Sequence, residues 1–447
     1  MIIMRFISKR LDLSENKERI MNNLFWSVLG KIVTMLGSFL VGIIIARYLG
    51  AKDYGMMNYV ISYVMLFQIL SSFGLDHIEI REEAKNDVPA NIIMGTSFRI
   101  RIVLSVITIM LTVGTSFVYE SDFHTVLYVA IYSLSVIARS FDVIRNRFTS
   151  LVQNEYVVKS EIYRTVVGVI IKVGLLLVNA SLVWFIAATA FDFVLLSSGY
   201  VFAYNRKIGK LRDWKYSSEY ARYLFKEAFP LLLTSAAVFI YQRIDQVMIG
   251  NMIDKVNVSY FATASRFVEI LIFVPTMIVQ TVTPVLVGIR KTSENDYKAK
   301  AQQFMNITFW LTMLLSVLLA LSSYVLVKYT FGSEYLAAAP VLSILAFKTV
   351  AFSLSTTAGA MLVIEGLQKF AIIRDLFGCV VCIGLNYLLL PLYGIEAAAF
   401  VAVVSYFCAG YVADLFVPKY RHLFQMQTKT VFLGWKDLIN IKSLLKR

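Results

Sequence analysis

Residues 24–46 read LFWSVLGKIVTMLGSFLVGIIIA, and residues 54–76 read YGMMNYVISYVMLFQILSSFGLD. Lys31 is the one charge in the first run and Asp76 the one in the second, at its very end. Each run is 23 residues long, enough for a helix rising ~1.5 Å per residue to cross a hydrocarbon core of ~30 Å. A helix is the form that fits, because lipid-exposed backbone must satisfy its own hydrogen bonds. Ten further runs follow, at 98–118, 125–144, 163–180, 182–204, 228–250, 258–288, 306–328, 338–364, 371–391 and 395–417. The fourth and fifth are the least apolar: Arg139, Asp142, Arg145 and Arg147 crowd the end of one, and Arg164 opens the other. The chain has 447 residues, 58% hydrophobic and 16% charged, with a mean hydropathy of +0.69. A soluble domain has about 25% charged residues. The composition excludes a collagen, a disordered tail, a disulfide-rich secreted module and a soluble enzyme. It predicts an all-α integral membrane protein of twelve transmembrane helices.

The charge pattern sets the orientation. With the N-terminus in the cytoplasm, and with Arg139, Arg164 and Arg374 at cytoplasmic span ends counted there, 32 of the 43 Lys and Arg are cytoplasmic, four lie in outside loops and seven within spans. That is a strong positive-inside bias. It accounts for most of the net +14 and removes nucleic acid as a partner. The longer polar segments are cytoplasmic, and none is large enough to fold by itself. The first residues are polar and basic, and the run after them is too long for a signal peptide. No lipidation motif is present.

The polar segment 206–227 divides an N-terminal lobe, 1–205, from a C-terminal lobe, 228–417, followed by a cytoplasmic tail, 418–447. The halves resemble each other weakly at an offset of 204: Ile45–Gly50 falls opposite Ile249–Asp254, and Tyr54-Gly55 opposite Val258-Ser259. Six spans per half leave both halves the same way up. Such repeats place substrate sites where the halves meet.

Charges within spans are costly, ~2.5–3.5 kcal/mol each on insertion scales, so each needs a reason. The cations are Lys31, Arg99, Arg101, Lys172, Arg243, Arg266 and Lys348. Against them stand Asp192, Asp245, Glu269 and Asp414, as ion-coupling or charge-balancing groups. The excess of cations predicts a cationic cavity for an anionic, phosphate-bearing substrate. Lys31, Arg99 and Arg101 also lie where they can snorkel to the inner surface. Arg266 and Glu269, at i and i+3, suit a pair on one helix face. Arg243 and Asp245, at i and i+2, do not face each other. Asp245 then suits either a proton or cation acceptor or a bridge to a neighbouring helix. Pro275 and Pro284, with Thr276, Thr281 and Thr283 nearby, suit a gate or a static bend, the Thr hydroxyls satisfying freed carbonyls. Most Tyr and Phe read as interfacial belt and lipid-facing surface. Cys379-x-x-Cys382 has metal-like spacing without a second ligand pair and reads as core packing. No nucleotide loop, zinc motif or nucleophile elbow is present, so neither cofactor nor enzyme chemistry is expected.

The order of these features resembles the multidrug/oligosaccharidyl-lipid/polysaccharide exporter superfamily. Within it the chain looks like the polysaccharide transporter family, specifically Wzx-type O-antigen flippases. The residues are Ala46-Arg47-Tyr48-Leu49-Gly50, Asp53-Tyr54-Gly55, Asp245-Gln246-Val247-Met248-Ile249-Gly250, Ser259-Tyr260 and Ala262-Thr263-Ala264-Ser265-Arg266. Close similarity covers roughly 22–76 and 228–290. Ser259 stands where the family has glycine, and no pair of helices beyond twelve is read, unlike a fourteen-span lipid II flippase. The resemblance implies two six-helix lobes around a central cavity, alternating access and coupling to an ion gradient. The implied substrate is an oligosaccharide on undecaprenyl pyrophosphate, moved to the outer leaflet of the bacterial inner membrane. Membrane lipid, a polysaccharide polymerase and a chain-length regulator are the implied partners. Three alternatives stay open: a capsule or exopolysaccharide flippase, a multidrug antiporter of the same superfamily, and a polymerase or lipid-linked glycosyltransferase. The short outside loops disfavour the last, and the cation excess disfavours cationic drugs.

Overall fold

The computed structural model describes residues 15–120 and 122–439. Residues 1–14 of the basic N-terminal segment and 440–447 of the tail lie outside them. The described residues form helices and no strand. The longer helices are α1 (Glu15–Ser72), α2 (Leu75–Lys85), α3 (Ala90–Tyr119), α4 (Phe123–Ser133), α5 (Asp142–Ser150), α6 (Asn154–Leu177) and α7 (Leu182–Lys207). They continue as α8 (Ser218–Met252), α9 (Lys255–Thr292), α10 (Glu294–Thr330), α11 (Ala338–Leu345), α12 (Lys348–Glu365), α13 (Ala371–Phe407) and α14 (Arg421–Leu433).

Among the described residues the helices make twelve spans, because two helices are each broken by a glycine. Gly50 (φ 71°) splits α1, and Gly394 (φ 67°) splits α13. An L-residue in that left-handed region costs ~1–2 kcal/mol, so glycine is the residue that turns the chain there. The Glu334 carboxylate accepts the Ala51 N–H at 2.7 Å and so caps the helix that restarts after Gly50. Two spans are composite. The fourth, Phe123–Ser150, joins α4 to α5 through Ser135–Ala138 and a 3₁₀ turn at Arg139–Phe141. The tenth, Ala338–Glu365, joins α11 and α12.

Polarity is inverted relative to a soluble bundle. On α3, Ser105, Thr108, Thr112 and Ser116 are buried, while Val103, Met110 and Phe117 are exposed. On α10, Thr308, Thr312, Ser316 and Ser323 are buried, while Leu314, Leu318 and Leu321 are exposed. Small hydroxyls inside hold helices together in an apolar solvent. Ser105 Oγ donates to the Val136 carbonyl and Ser316 Oγ to the Ala346 carbonyl. Thr108 and Thr112 stand opposite Thr312 and Ser316 at the same offset of 204, which extends the repeat into the third and ninth spans.

The chain divides into two compact units. One runs to Tyr48 and resumes over Tyr63–Ser235; the other comprises Leu49–Ser62 and the chain from Ala236 onward. The sequence reads 49–62 as part of the N-terminal lobe, yet this stretch packs in the second unit. A Cβ on Gly55 would meet the Lys255 carbonyl oxygen at 1.8 Å, and one on Gly250 the Tyr59 ring at 2.3 Å. Tyr59 O–H donates to Asn251 Oδ1 at 2.6 Å, and Ser62 Oγ to Gln246 Oε1 at 2.7 Å. The segment 206–227, read as a linker, packs on the first unit. The Lys215 N–H donates to the Asn91 carbonyl and the Ser217 N–H to Thr96 Oγ1. The tail is likewise bound within the second unit as α14. Leu423, Gln427 and Thr430 are buried on one face. Gln427 Nε2 donates to the Gly410 carbonyl at 2.6 Å, and Trp310 Nε1 to that of Thr430 at 2.9 Å.

Gly55→Ala is expected to cost a few kcal/mol, as overpacking does, because the 1.8 Å neighbour is backbone. Gly288→Ala, which meets nothing within 4 Å, is expected to be neutral or slightly stabilising. Melting of the two variants in detergent compares them. At the base of α14, His422 Nε2 lies 2.8 Å from Glu365 Oε2. That hydrogen bond raises the imidazole above its ordinary 6.5. The stabilisation is fully present below pH ~6.5 and is lost as pH rises through the raised value. A pH series of melts should show the wild type losing stability relative to Glu365→Gln across that window. Parallel curves would refute the linkage.

Candidate functional site

The spacing of Asp76, Glu79 and Glu83 puts three carboxylates on one face of a helix. The sequence reads 77–97 as a polar cytoplasmic segment; the structure makes its first part α2, with Glu79, Glu82 and Glu83 buried. Arg101 of α3 reaches this face. Its Nε is 2.9 Å from Glu79 Oε1, and its Nη2 is 2.8 Å from Asp76 Oδ1. Asn146 Nδ2 donates to Asp76 at 2.9 Å and to Glu79 at 2.6 Å. Arg145 adds a 3.2 Å contact to Asp76, and Arg139 and Arg145 both approach Asp142. Arg147 pairs with Glu83. Three carboxylates face three guanidinium groups in the main network, so Arg101, expected as a free cavity cation, is a neutralised structural group. The signal was the helical spacing of the acids together with the cluster Arg139–Arg147.

The other N-terminal candidates separate. Lys172 pairs with Asp192 between α6 and α7. Gly168 makes that approach possible, since a Cβ there would meet Asp192 Oδ1 at 2.4 Å. Lys31 is exposed and shares with Arg164 the role of cationic neighbour to Glu161, a carboxylate the sequence argument passed over. Arg99 is exposed, its guanidinium 5.1 Å from the Tyr216 ring centre.

Five candidates come together in the C-terminal unit. Asp245 is 2% exposed; its Oδ1 accepts from Asn386 Nδ2 at 2.7 Å and from the Cys382 thiol at 3.4 Å. Cys382 is therefore more than core packing. The cation nearest in effect to Asp245 is Lys348, whose Nζ sits 4.7 Å from the centre of the Tyr406 ring. Lys348 is also within electrostatic reach of Arg243 and Glu269. Arg243 Nη2 lies 3.3 Å from Glu269 Oε1, and Glu269 remains half-exposed. Arg266, read both as a cavity cation and as a partner of Glu269, donates from Nε to the Tyr54 hydroxyl at 2.6 Å while Glu269 acts on it from nearby. The cluster holds three cations against two carboxylates. Its rim, at Arg243 and Glu269, is partly exposed.

Asp414 stands apart. It is fully buried and 3.2 Å from Arg374 Nε. Arg374 counts as cytoplasmic in the sequence reading, yet it is buried and also donates to the Ala409 carbonyl at the π-helical turn Cys408–Val412. Helix α9 runs unbroken through Pro275 and Pro284. Thr276, Thr281 and Thr283 donate to the carbonyls of Ile272, Met277 and Val279. These are their own i−4 partners, not the carbonyls of Leu271 and Gln280 that the prolines free.

Removing one partner of a buried pair costs ~3–5 kcal/mol, whereas replacing both with apolar groups is near neutral. Arg101→Met is expected to destabilise by that amount. Lys172→Met alone is expected to do so as well, and Lys172→Met with Asp192→Leu to recover most of the loss. Thermal melts in detergent measure all three, and a double variant no better than the single would mean that Lys172 is not there to neutralise Asp192.

No curated protein matches the chain in sequence. Solved structures match its fold. A multidrug resistance MATE family transporter of the MOP superfamily, inward-facing, aligns with TM-score 0.68 at 16% identity, covering 89% of this chain and 96% of its own. The lipid II flippase MurJ, in an inward closed conformation, aligns with TM-score 0.67 at 13% identity, covering 91% and 92%. A MOP superfamily transporter from Pyrococcus furiosus aligns with TM-score 0.63 at 15% identity, covering 93% and 97%. The MatE family model matches residues 230–388. The model described as polysaccharide biosynthesis protein matches residues 20–290, more than half of the sequence. With twelve spans and the fold of the MOP superfamily transporters, the chain belongs to the polysaccharide biosynthesis protein family.

Proposed function

We propose that the protein is a flippase for an undecaprenyl-pyrophosphate-linked oligosaccharide, the O-antigen repeat unit. It moves the unit from the cytoplasmic to the outer leaflet of the bacterial inner membrane by alternating access, with both termini cytoplasmic. The observation that carries the reading is the cluster Arg243, Arg266 and Lys348 against Asp245 and Glu269, net positive and partly exposed at its rim. A pyrophosphate displaces Glu269 from Arg243 and takes its place, since arginine binds phosphate in the same forked geometry as carboxylate. Asp245, buried against Asn386 and Cys382, is the group assigned to ion coupling, and Pro275 and Pro284 to the gating helix. Family membership and a fold shared with a lipid II flippase support a lipid-linked substrate.

A charge-assisted hydrogen bond contributes ~1.5–3 kcal/mol, so Arg243→Gln should weaken apparent substrate affinity about ten- to a hundredfold. In a deletion strain, the wild-type gene should restore long surface polysaccharide and outward-facing lipid-linked units. Arg243→Gln and Lys348→Gln, present in the membrane at normal levels, should leave units on the cytoplasmic face. The MatE match over 230–388 favours a second reading, a multidrug antiporter. Unchanged polysaccharide on deletion, with loss of drug efflux, would establish that one instead. Loss of capsule or exopolysaccharide rather than O-antigen would keep the mechanism and change the sugar.

A further inference from the structure

Helices α6 and α7 of the N-terminal unit flank a cleft of 740 Å³ near their polar ends. That lies within the ~300–1,000 Å³ of small-molecule sites. The floor is made of small residues. A Cβ on Gly199 would meet Ser160 Cβ at 2.9 Å, so the helices touch there. Tyr156, Lys159 and Tyr163 repeat at helical spacing on one wall, and Phe202, Arg206 and Lys207 on the other. The wall is graded along its depth. Tyr163 and Phe202, 45% and 67% exposed, lie toward the membrane interior. Lys159, Arg206 and Lys207 ring the mouth, at the start of α6 and in the last turn of α7.

The cations are organised around aromatic rings. Lys159 and Lys207 lie 5.7 Å and 5.6 Å from the Tyr156 ring centre, and Lys159 also 5.4 Å from that of Trp26. Glu155 pairs with Lys159 from one turn away. Arg206 and Lys207 have no carboxylate partner among the described residues. None of these groups belongs to the cluster assigned to transport.

We propose that this cleft binds the headgroup of an anionic phospholipid, its phosphate held by Arg206, Lys207 and Lys159 and its acyl chains lying along Phe202 and Tyr163. Charge at the mouth above exposed aromatic surface matches the polarity of a lipid. A free anion has no use for the apolar wall. Basic side chains at a membrane surface favour anionic headgroups by an amount equal to about fivefold in binding per cation. The proposal stands independently of the transport reading.

The test is lipid titration of the full-length protein in detergent, read by native mass spectrometry. The probes are phosphatidylglycerol, phosphatidylethanolamine and inorganic phosphate. Phosphatidylglycerol should bind in preference to phosphatidylethanolamine. Arg206→Gln with Lys207→Gln should weaken it about 25-fold at two cations of fivefold each. The exchange Arg206→Lys with Lys207→Arg should retain binding, and Phe202→Ser should weaken the lipid further than charge alone explains. Equal binding of the two lipids, or binding unchanged in the double Gln variant, overturns the proposal. Displacement of phosphatidylglycerol by millimolar inorganic phosphate would show a plain anion site and overturn the lipid assignment.

Discussion

The structure depends on one constraint: nothing polar can be left to the solvent, because the solvent is hydrocarbon. Backbone groups meet it by forming helices. Side chains meet it by turning hydroxyls inward, as Thr108, Thr112, Thr312 and Ser316 do. Charges meet it by pairing. Arg101 with Asp76 and Glu79, Lys172 with Asp192, and Arg374 with Asp414 are three solutions to that one requirement. Desolvation is expensive enough that such pairs contribute little net stability, while a broken pair is severe. They hold the helices in register and leave little charge available for a ligand.

Pairing therefore sorts the cations. Those with carboxylates of matching number are structural. The site proposed for transport differs: there the count does not close and side chains are partly exposed. Arg243, Arg266 and Lys348 against Asp245 and Glu269 satisfy both conditions, with Glu269 half-exposed. Asp245 is the deepest member, and Asn386 and Cys382 supply the hydrogen bonds that water would supply elsewhere. At the offset of 204, Arg243 and Asp245 stand opposite Phe39 and Val41 of α1, so the first half carries no charge at those two positions.

The motif segments answer to packing before chemistry. Gly55 and Gly250 let α1 and the chain around Asn251 and Lys255 come into backbone contact, and Tyr54 and Tyr59 convert that approach into hydrogen bonds to Arg266 and Asn251. Ser259 is accommodated inside α9 fully buried. Conformational demand at Gly50 and Gly394 has the same character: each restarts a helix in a direction that an L-residue resists.

The sequence by itself determined the spans and the resemblance. Length and apolarity are properties of contiguous residues, and a bilayer reads them one run at a time. It also determined which side chains were candidates, since a charge in an apolar run is visible wherever it points. Which charges cancel was decided by tertiary structure alone. Arg101 and Glu79 are 22 residues apart, Arg374 and Asp414 40, and Arg243 and Glu269 26, and no local spacing rule couples such distances. Glu79 and Glu83 were legible as one helix face, but only once 75–85 was known to be a helix packed against α5. Segment 49–62 belongs with the C-terminal unit because Gly55 fits against the Lys255 backbone, 200 residues away. Periodicity reports which face of a helix is apolar; it is silent on the identity of the surface that meets the other face.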